Sequence, residues 1–353
     1  MKLTDCNNVS DLRRLAKRNL PWPIFNYLDG GADDEIALRR SVSAFDDYEL
    51  LPTHLSDISE IDLRTTVLGQ DIEWPVFLSP TGASRLFHHD KEPAVARAAH
   101  QFGTIYSLST LGTTTIEDVA STTPGPKMYQ IYVFKDRGIT RDFVARCKES
   151  GYAAICLTVD TQVAGNRERD LVTGFGVPPK WKLRSVLSYV RHFPWTYRAI
   201  VNGGFEMVNV TSSPGVSTEI NEGVIEYVNS QFDRTLSWKD VEGLAGQWDG
   251  PLVIKGIQTV GDARKAVDCG ATAVMLSNHG GRQLESSPAP VDCIAPIADA
   301  LRAKLEIICD GGIRRGNHVV KALALGANAC SIGRGYLFGL AAGGQPGVEH
   351  ALG

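Results

Sequence analysis

Leu305-Glu306-Ile307-Ile308-Cys309-Asp310-Gly311-Gly312-Ile313-Arg314-Arg315-Gly316, followed by Asn317–Leu325, holds one complete structural unit. Its apolar opening lacks polar alternation and suits a parallel strand covered on both faces. A glycine-rich turn follows, then apolar residues at helical spacing, so the unit reads strand, tight loop, helix. The same rhythm starts at Pro75. Its eight apolar runs are Pro75–Ser79, Thr104–Ser109, Lys127–Tyr132, Ala153–Val159, Leu252–Lys255, Thr272–Ser277, Leu305–Cys309 and Ala329–Ile332. Helices fit between them at Lys91–Gln101, Ile139–Ser150, Ser237–Gly246, Val260–Cys269 and Asn317–Leu325. Eight such units predict an α/β fold, a closed (β/α)8 TIM barrel. An open doubly wound sheet is the competing arrangement of the same units.

Ahead of the barrel, residues 1–74 predict a helical cap. Ser10 caps a helix carrying Leu12, Leu15 and Ala16 on one face, and Pro21 stops it. Pro23–Leu28 forms a second helix ending at Gly30-Gly31, and Asp33-Asp34-Glu35 supplies the acidic first turn of a third. One connection breaks the rhythm: residues 160–236 separate the fourth run from the helix near Ser237. Connections of this length are functional, partly structured or mobile, and this one leaves from the strand end where barrel enzymes keep their chemistry. The chain therefore reads as one domain, 1–353, with a cap at 1–74 and a long active-site loop at 160–236, the β4α4 insertion.

Composition narrows the function classes. A net charge of −4 and an isoelectric point near 6.1 argue against general nucleic-acid affinity. The seven cysteines include no C-x-x-C pair, and Cys156, Cys309 and Cys330 sit in apolar runs, as reduced core thiols do. Met1–Leu20 lacks the apolar core of a signal peptide, and no run of about 18 apolar residues exists to span a membrane. A cytoplasmic protein without metal is the expectation.

Polar residues gather where the apolar runs end: Ser109, Gln130, Tyr132, Thr158, Asp160, Lys255, His279, Arg282 and Asp310. In a barrel these side chains converge over one mouth. Asp310-Gly311-Gly312-Ile313-Arg314-Arg315-Gly316 after the seventh run and Gly333-Arg334-Gly335 after the eighth occupy the usual phosphate-holding positions. Tight turns with solvated arginines are the plainer reading of either loop alone. Lys255 demands an anion, which a ligand or a structural ion pair could supply; a Schiff-base role is a third reading. His279 with Arg282 suits acid chemistry, a proton acceptor beside a group that grips carboxylate.

Ser277-Asn278-His279-Gly280-Gly281-Arg282-Gln283 resembles the active-site signature of the FMN-dependent 2-hydroxy acid dehydrogenases and oxidases, a family that includes the membrane-associated bacterial L-lactate dehydrogenases, whose membrane-binding insertion the segment Leu171–Phe205 resembles. Tyr27-Leu28-Asp29-Gly30-Gly31-Ala32, Gln130-Ile131-Tyr132, Leu157-Thr158-Val159-Asp160 and the Asp310–Gly316 loop extend the resemblance over nearly the whole chain. The resemblance implies His279 as base, supported by Asp160, with Tyr132 on the reacting hydroxyl. It implies Arg282, Arg167 and Tyr27 on the substrate carboxylate, and Lys255 beside the N1–C2 carbonyl edge of FMN. Pro80, Thr81, Gly82, Ser109, Gln130, Thr158 and Ser277 would border the flavin ring. Asp310, Gly311, Gly312, Arg314, Gly333 and Arg334 would take its ribityl and phosphate. A homo-oligomer, usually a tetramer, is also implied.

Substrate and acceptor rest on fewer residues. Gly82 stands where the dehydrogenases carry glycine and the oxidases tend to carry alanine, which favours a non-oxygen acceptor. Leu111 stands where glycolate oxidase-like members have tryptophan, leaving room for lactate or a larger acid. From Leu171 to Phe205 no acidic residue occurs, while Lys180, Lys182, Arg184, Arg191 and Arg198 interleave with Trp181, Tyr189, Phe193, Trp195 and Tyr197. Two readings fit. Residues 177–205 either meet an anionic membrane surface, on the inner face of the cell membrane and with quinone as acceptor, or form a lid packed on the barrel or on another subunit. The sequence ends sooner after Gln345-Pro346-Gly347 than in the resembling enzymes, which puts the packing of the last helix in question.

Overall fold

A computed structural model describes the chain except residues 56, 177–179, 202–204 and 214–229. Its centre is a closed barrel of eight parallel strands: β1 (Val76–Thr81), β2 (Tyr106–Ser109), β3 (Lys127–Ile131), β4 (Ala154–Thr158), β5 (Leu252–Ile257), β6 (Ala273–Ser277), β7 (Glu306–Asp310) and β8 (Ala329–Ile332). Pairing of β8 with β1, Cys330 against Val76 and Ile332 against Leu78, closes the ring and rules out the open sheet. The strands read as apolar runs because both faces are covered. Met128, Cys156, Val253 and Met275 fill the barrel, while Leu78, Leu108, Ile155 and Ile254 pack against the helices. A two-stranded hairpin, Thr65–Val67 against Gln70–Ile72, brings Val67, Leu68 and Ile72 into the cluster that fills the barrel. The Leu68 amide donates to Glu306 at 2.8 Å.

Residues 1–74, expected as a helical cap, thus end in a hairpin, and the helices before it differ from expectation at two further points. Helix α1 (Val9–Asn19) is capped by Asn8, whose side chain accepts from the Asp11 amide at 3.0 Å; Ser10 lies inside the helix. An amide oxygen one residue before the apolar face reaches the open N–H groups better than the hydroxyl chosen from sequence. Helix α2 (Trp22–Asp29) follows, then α3 (Ile36–Ser43). The acidic trio precedes α3 and does not form its first turn. Asp33 and Glu35 adopt positive φ, and Glu35 turns back to accept from the Gly31 amide at 2.9 Å and to pair with Arg169 at 2.6 Å.

Barrel helices include α4 (Lys91–Gln101), α5 (Ile116–Thr122) and α6 (Arg137–Glu149). The insertion after β4 carries four described helices, α7 (Glu168–Thr173), α8 (Leu183–Arg191), α9 (Phe193–Val201) and α10 (Val208–Thr211). The last helix, α15 (Arg334–Leu352), comes after α11 (Trp238–Ala245), α12 (Val260–Asp268), α13 (Ile294–Leu301) and α14 (Gly316–Ala324). It is packed despite the doubt raised from sequence. It bends at Gly343–Gly344, buries Tyr336, Leu340 and Val348, and receives Asn19 Nδ2 on the Ala342 carbonyl at 3.0 Å.

Candidate active site

A cavity of about 490 Å³ lies at the carboxyl ends of the barrel strands, within the size range of ligand sites. Three groups of side chains furnish it.

The first centres on His279. The loop after β6 turns back through His279 (φ 55°), Gly280 (φ 64°) and Gly281 (φ 69°). Gly281 is required there, since a Cβ would stand 2.4 Å from the Leu38 amide nitrogen on α3. Asn278 braces the turn, accepting from the Gly281 amide at 3.0 Å and donating to Ser41 at 2.8 Å. The imidazole is thereby aimed at Asp160, with Nδ1 to Oδ1 at 2.9 Å. Burial pushes the Asp160 carboxyl up, but the charge and hydrogen bond of His279, with the charge of Lys255, outweigh it and hold the group below its usual value. Gln283 fixes the facing loop by donating to the carbonyls of Asp160 and Val163, both at 2.9 Å.

Arginines form the second group. Arg282 donates to the Tyr27 carbonyl at 2.6 Å and lies over the Tyr27 ring at 4.9 Å. Arg167 approaches the same ring at 5.8 Å and Asp170 at 3.6 Å. Tyr27 is stacked on Phe175 with centroids 4.2 Å apart. Burial and the charge of Arg167 lower the Arg282 pKa, and among the described residues no carboxylate lies within ion-pair distance of Arg282. Tyr132 lines the same wall, and burial with the nearby Asp160 charge raises its pKa, keeping it a neutral phenol.

The third group is a buried ion pair. Lys255 Nζ lies 3.0 Å from Asp310 Oδ2 and donates to Ser277 at 2.9 Å. Ser277 donates to the same carboxylate at 2.7 Å, and Ser79 and Ser331 donate to its other oxygen. Burial would raise the Asp310 pKa, but Lys255 and the three hydroxyls bring it down to about 2. The four lone-pair positions of Asp310 are all taken, and an acceptor-only carboxylate repels a phosphate, which needs donors on the neighbouring loops. Arg314 and Arg334 stand there. Burial lowers Arg314 to about 10, and burial with the charges of Arg282 and Arg314 lowers Arg334 to about 9. Among the described residues, Arg334 reaches only the carbonyls of Leu28, Gly280 and Gly30. Gly312 has a packing reason as well, because a Cβ would strike the Ser41 carbonyl.

Of the residues picked from sequence, Tyr27, Pro80, Thr81, Gly82, Ser109, Tyr132, Arg167, Lys255, His279, Arg282, Asp310, Gly311, Gly312, Arg314, Gly333 and Arg334 line the cavity. Gln130, Thr158 and Ser277 are buried just behind it, and Asp160 is half-buried beside His279. Ser79 and Ser331 went unnoticed in the sequence, although each occupies a strand position of the kind that yielded Ser109 and Ser277. Gln130 Nε2, Thr158 Oγ1 and Asp160 Oδ2 are buried without a partner among the described residues. Unmet polar atoms at one end and uncompensated guanidinium groups at the other suit a ligand with a hydrogen-bonding ring and a phosphate, as FMN has.

Comparison with known proteins bears on the same assignment. The sequence pattern of the family described as FMN-dependent dehydrogenase matches residues 16–353. The chain is 41% identical over 345 residues to a putative L-lactate dehydrogenase of Mycobacterium tuberculosis, covering 98% of this chain and 82% of that one. It is 40% identical to glycolate oxidase 5 of Oryza sativa subsp. japonica over 99% and 88% of the two chains. The crystal structure of the monotopic membrane protein (S)-mandelate dehydrogenase superposes with a TM-score of 0.92 at 35% identity, covering 99% of this chain and 92% of that one.

Proposed function

The chain belongs to the FMN-dependent dehydrogenase family and is an FMN-dependent 2-hydroxy acid oxidoreductase; within that class we propose that it oxidises L-lactate to the 2-oxo acid and passes the electrons to a quinone. The observation that carries the chemistry is the His279–Asp160 contact at the edge of a cavity that also holds Arg282 and Tyr27. Asp160 accepts the Nδ1 proton of His279, which leaves the Nε2 lone pair to receive the proton of the substrate 2-hydroxyl. Arg282 and Arg167 take the carboxylate, with Tyr27 beneath them, and orient C2. Tyr132, held neutral, hydrogen-bonds the reacting hydroxyl. FMN, when bound, supplies the two-electron acceptor. Lys255 keeps its charge beside the ring edge because Asp310 and Asp160 hold its proton on against burial. Pro80, Thr81, Gly82, Ser109, Gln130, Thr158 and Ser277 would border the ring. Arg314 and Arg334, with the loops of Gly311, Gly312 and Gly333, would hold the phosphate.

Leu111, Met207 and Phe232 line the cavity with apolar surface, which supports an acid with a side chain over glycolate. The acceptor follows from the insertion. Trp195 packs inward, its Nε1 donating to the Leu86 carbonyl at 2.9 Å, as a lid would require. Leu187, Val190, Phe193, Tyr197 and Ile200 remain exposed on α8 and α9, which supports contact with a membrane surface. Among the described residues no helix is long and apolar enough to cross one. Transfer to oxygen is the second reading, favoured by similarity to a glycolate oxidase.

Anaerobic mixing of the FMN-bound protein with L-lactate, D-lactate, glycolate and L-mandelate tests substrate choice through flavin bleaching. Air or a soluble quinone is then admitted. Fastest bleaching by L-lactate and reoxidation by quinone ahead of air is expected. Fastest bleaching by another acid, or rapid reoxidation by air alone, would overturn the corresponding half.

A further inference from the structure

A second cavity, about 480 Å³, opens between α9, the end of α1 and the bend of α15. Arg18, Arg85, Arg191, Arg198, His88 and His192 are among its walls. Among the described residues no carboxylate lies within ion-pair distance of Arg18, Arg191 or Arg198. Asp90 stands beside the two histidines, its carboxylate 3.3 Å from His88 Nδ1 and 3.3 Å from His89 Nε2. Burial drives the His88 pKa down to about 4 against the pull of Asp90, and the neighbouring His89 and Arg198 add to that fall. Arg18, Arg191 and Arg198 around one concavity, with no matching acid among the described residues, concentrate a field that draws an anion.

The faces of α9 show which anion. Phe193, Tyr197 and Ile200, at i, i+4 and i+7, point to solvent, and Ile200 is 75% exposed. Pro194, Trp195, Arg198 and Ala199 line the cavity on the other side of the same helix. Helix α8 repeats the pattern, with Leu183, Leu187 and Val190 exposed and Arg191 on the cavity. A helix lying in a membrane interface sinks its apolar stripe about 5–10 Å into the acyl boundary. One helix is about 10 Å across, so the cavity behind that stripe falls at the level of the lipid phosphates.

We propose that this cavity holds the phosphodiester head group of an anionic bilayer lipid, bound by Arg18, Arg191 and Arg198 while α8 and α9 rest on its acyl chains. The proposal rests on the membrane reading above and adds a defined head-group site to it. Arginine suits the role because its planar donors meet phosphate oxygens in pairs. Lipid in this cavity would seat the insertion beside the active site, since Phe87 lines both cavities.

The test uses the full-length, FMN-bound protein and vesicles of phosphatidylcholine with or without phosphatidylglycerol, with binding read by flotation. The proposal expects tighter binding to the anionic vesicles. R191A/R198A should lose about fivefold affinity per charge removed while bleaching with substrate in solution at the normal rate. K180A/R184A removes two charges from the same insertion but outside the cavity and should lose much less. Equal losses in the two variants would show a diffuse charge effect and overturn the site. Glycerophosphoglycerol, the free head group, should bind saturably by calorimetry to the wild type and not to R191A/R198A. Tighter binding of inorganic phosphate than of the head group would overturn a lipid occupant. V190S/I200S separates the two readings: it should weaken binding to both kinds of vesicle. Equal wild-type binding to neutral and anionic vesicles would leave membrane contact standing and overturn the head-group site. No binding to either would overturn both, and a dimer in solution abolished by V190S/I200S would assign the face to a second copy.

Discussion

Lys255→Met separates the structural work of the Lys255–Asp310 pair from its place beside the flavin. The substitution keeps the apolar stem and removes one charge from a pair whose side chains are 6% and 10% exposed. Asp310 is held at about 2 against a usual value of 3.8. A displacement of that size is worth about 2 kcal/mol, and burial leaves little solvent screening to reduce it. Breaking a buried pair from one side costs about 3–5 kcal/mol. Three serine hydroxyls would still donate to Asp310, so the loss should fall near the lower end, about 3 kcal/mol. The pH dependence has a definite sign. In the wild type the depressed Asp310 pKa contributes stability that is present above about pH 4 and is lost as pH falls through about 2. In K255M the uncompensated carboxyl takes up a proton more readily, so the deficit should shrink as pH falls from 7 toward 4. Urea unfolding of FMN-free wild type, K255M, D310N and the double variant measures the coupling directly. A coupling below about 0.5 kcal/mol, or a deficit that grows on acidification, would refute the ion-pair account.

Three further outcomes are expected. D160N removes the anion that accepts from His279 Nδ1 at 2.9 Å, and kcat/KM should fall by about ten- to a hundredfold, the worth of a charge-assisted hydrogen bond; an unchanged value would detach Asp160 from the chemistry. G82A places a Cβ 3.0 Å from Leu111 Cβ and 3.2 Å from the Leu111 carbonyl, and overpacking there should cost about 1–3 kcal/mol, read as a lowered Tm; an unchanged Tm would show that the wall yields freely. R314M should weaken FMN binding about ten- to a hundredfold, yet leave the FMN-free protein as stable as before or more so, because burial holds Arg314 down at about 10 when no phosphate compensates it; undiminished FMN affinity by fluorescence titration would remove Arg314 from the phosphate site.

The strands were legible because both faces of each are buried, so their sequences are continuous apolar runs that local pattern reveals. Closure was not, because the pairing of Cys330 with Val76 joins the two ends of the barrel sequence and leaves no local trace. The hairpin at Thr65–Ile72 was missed, since strands of three residues show no periodicity. In the site, His279, Arg282 and the two glycine loops announced themselves by type and position. The anion that meets Lys255 was not decided by sequence; it is Asp310, 55 residues further on and two strands away. Ser79 and Ser331 matter only because that carboxylate lies between them, and a serine at a strand end says nothing of this alone. The insertion was legible as basic and aromatic. Its division into α8 and α9, with one face outward and the other on a cationic cavity, needed the structure.

The central claim is that His279, held by Asp160, takes the proton of a 2-hydroxy acid beside bound FMN. Anaerobic stopped-flow reduction of the wild type and His279→Ala, both loaded with FMN, tests it most directly. The expected result is equal FMN content, rapid bleaching of the wild type by L-lactate and a variant slowed by about a hundredfold or more. Bleaching of His279→Ala at the wild-type rate would contradict the account.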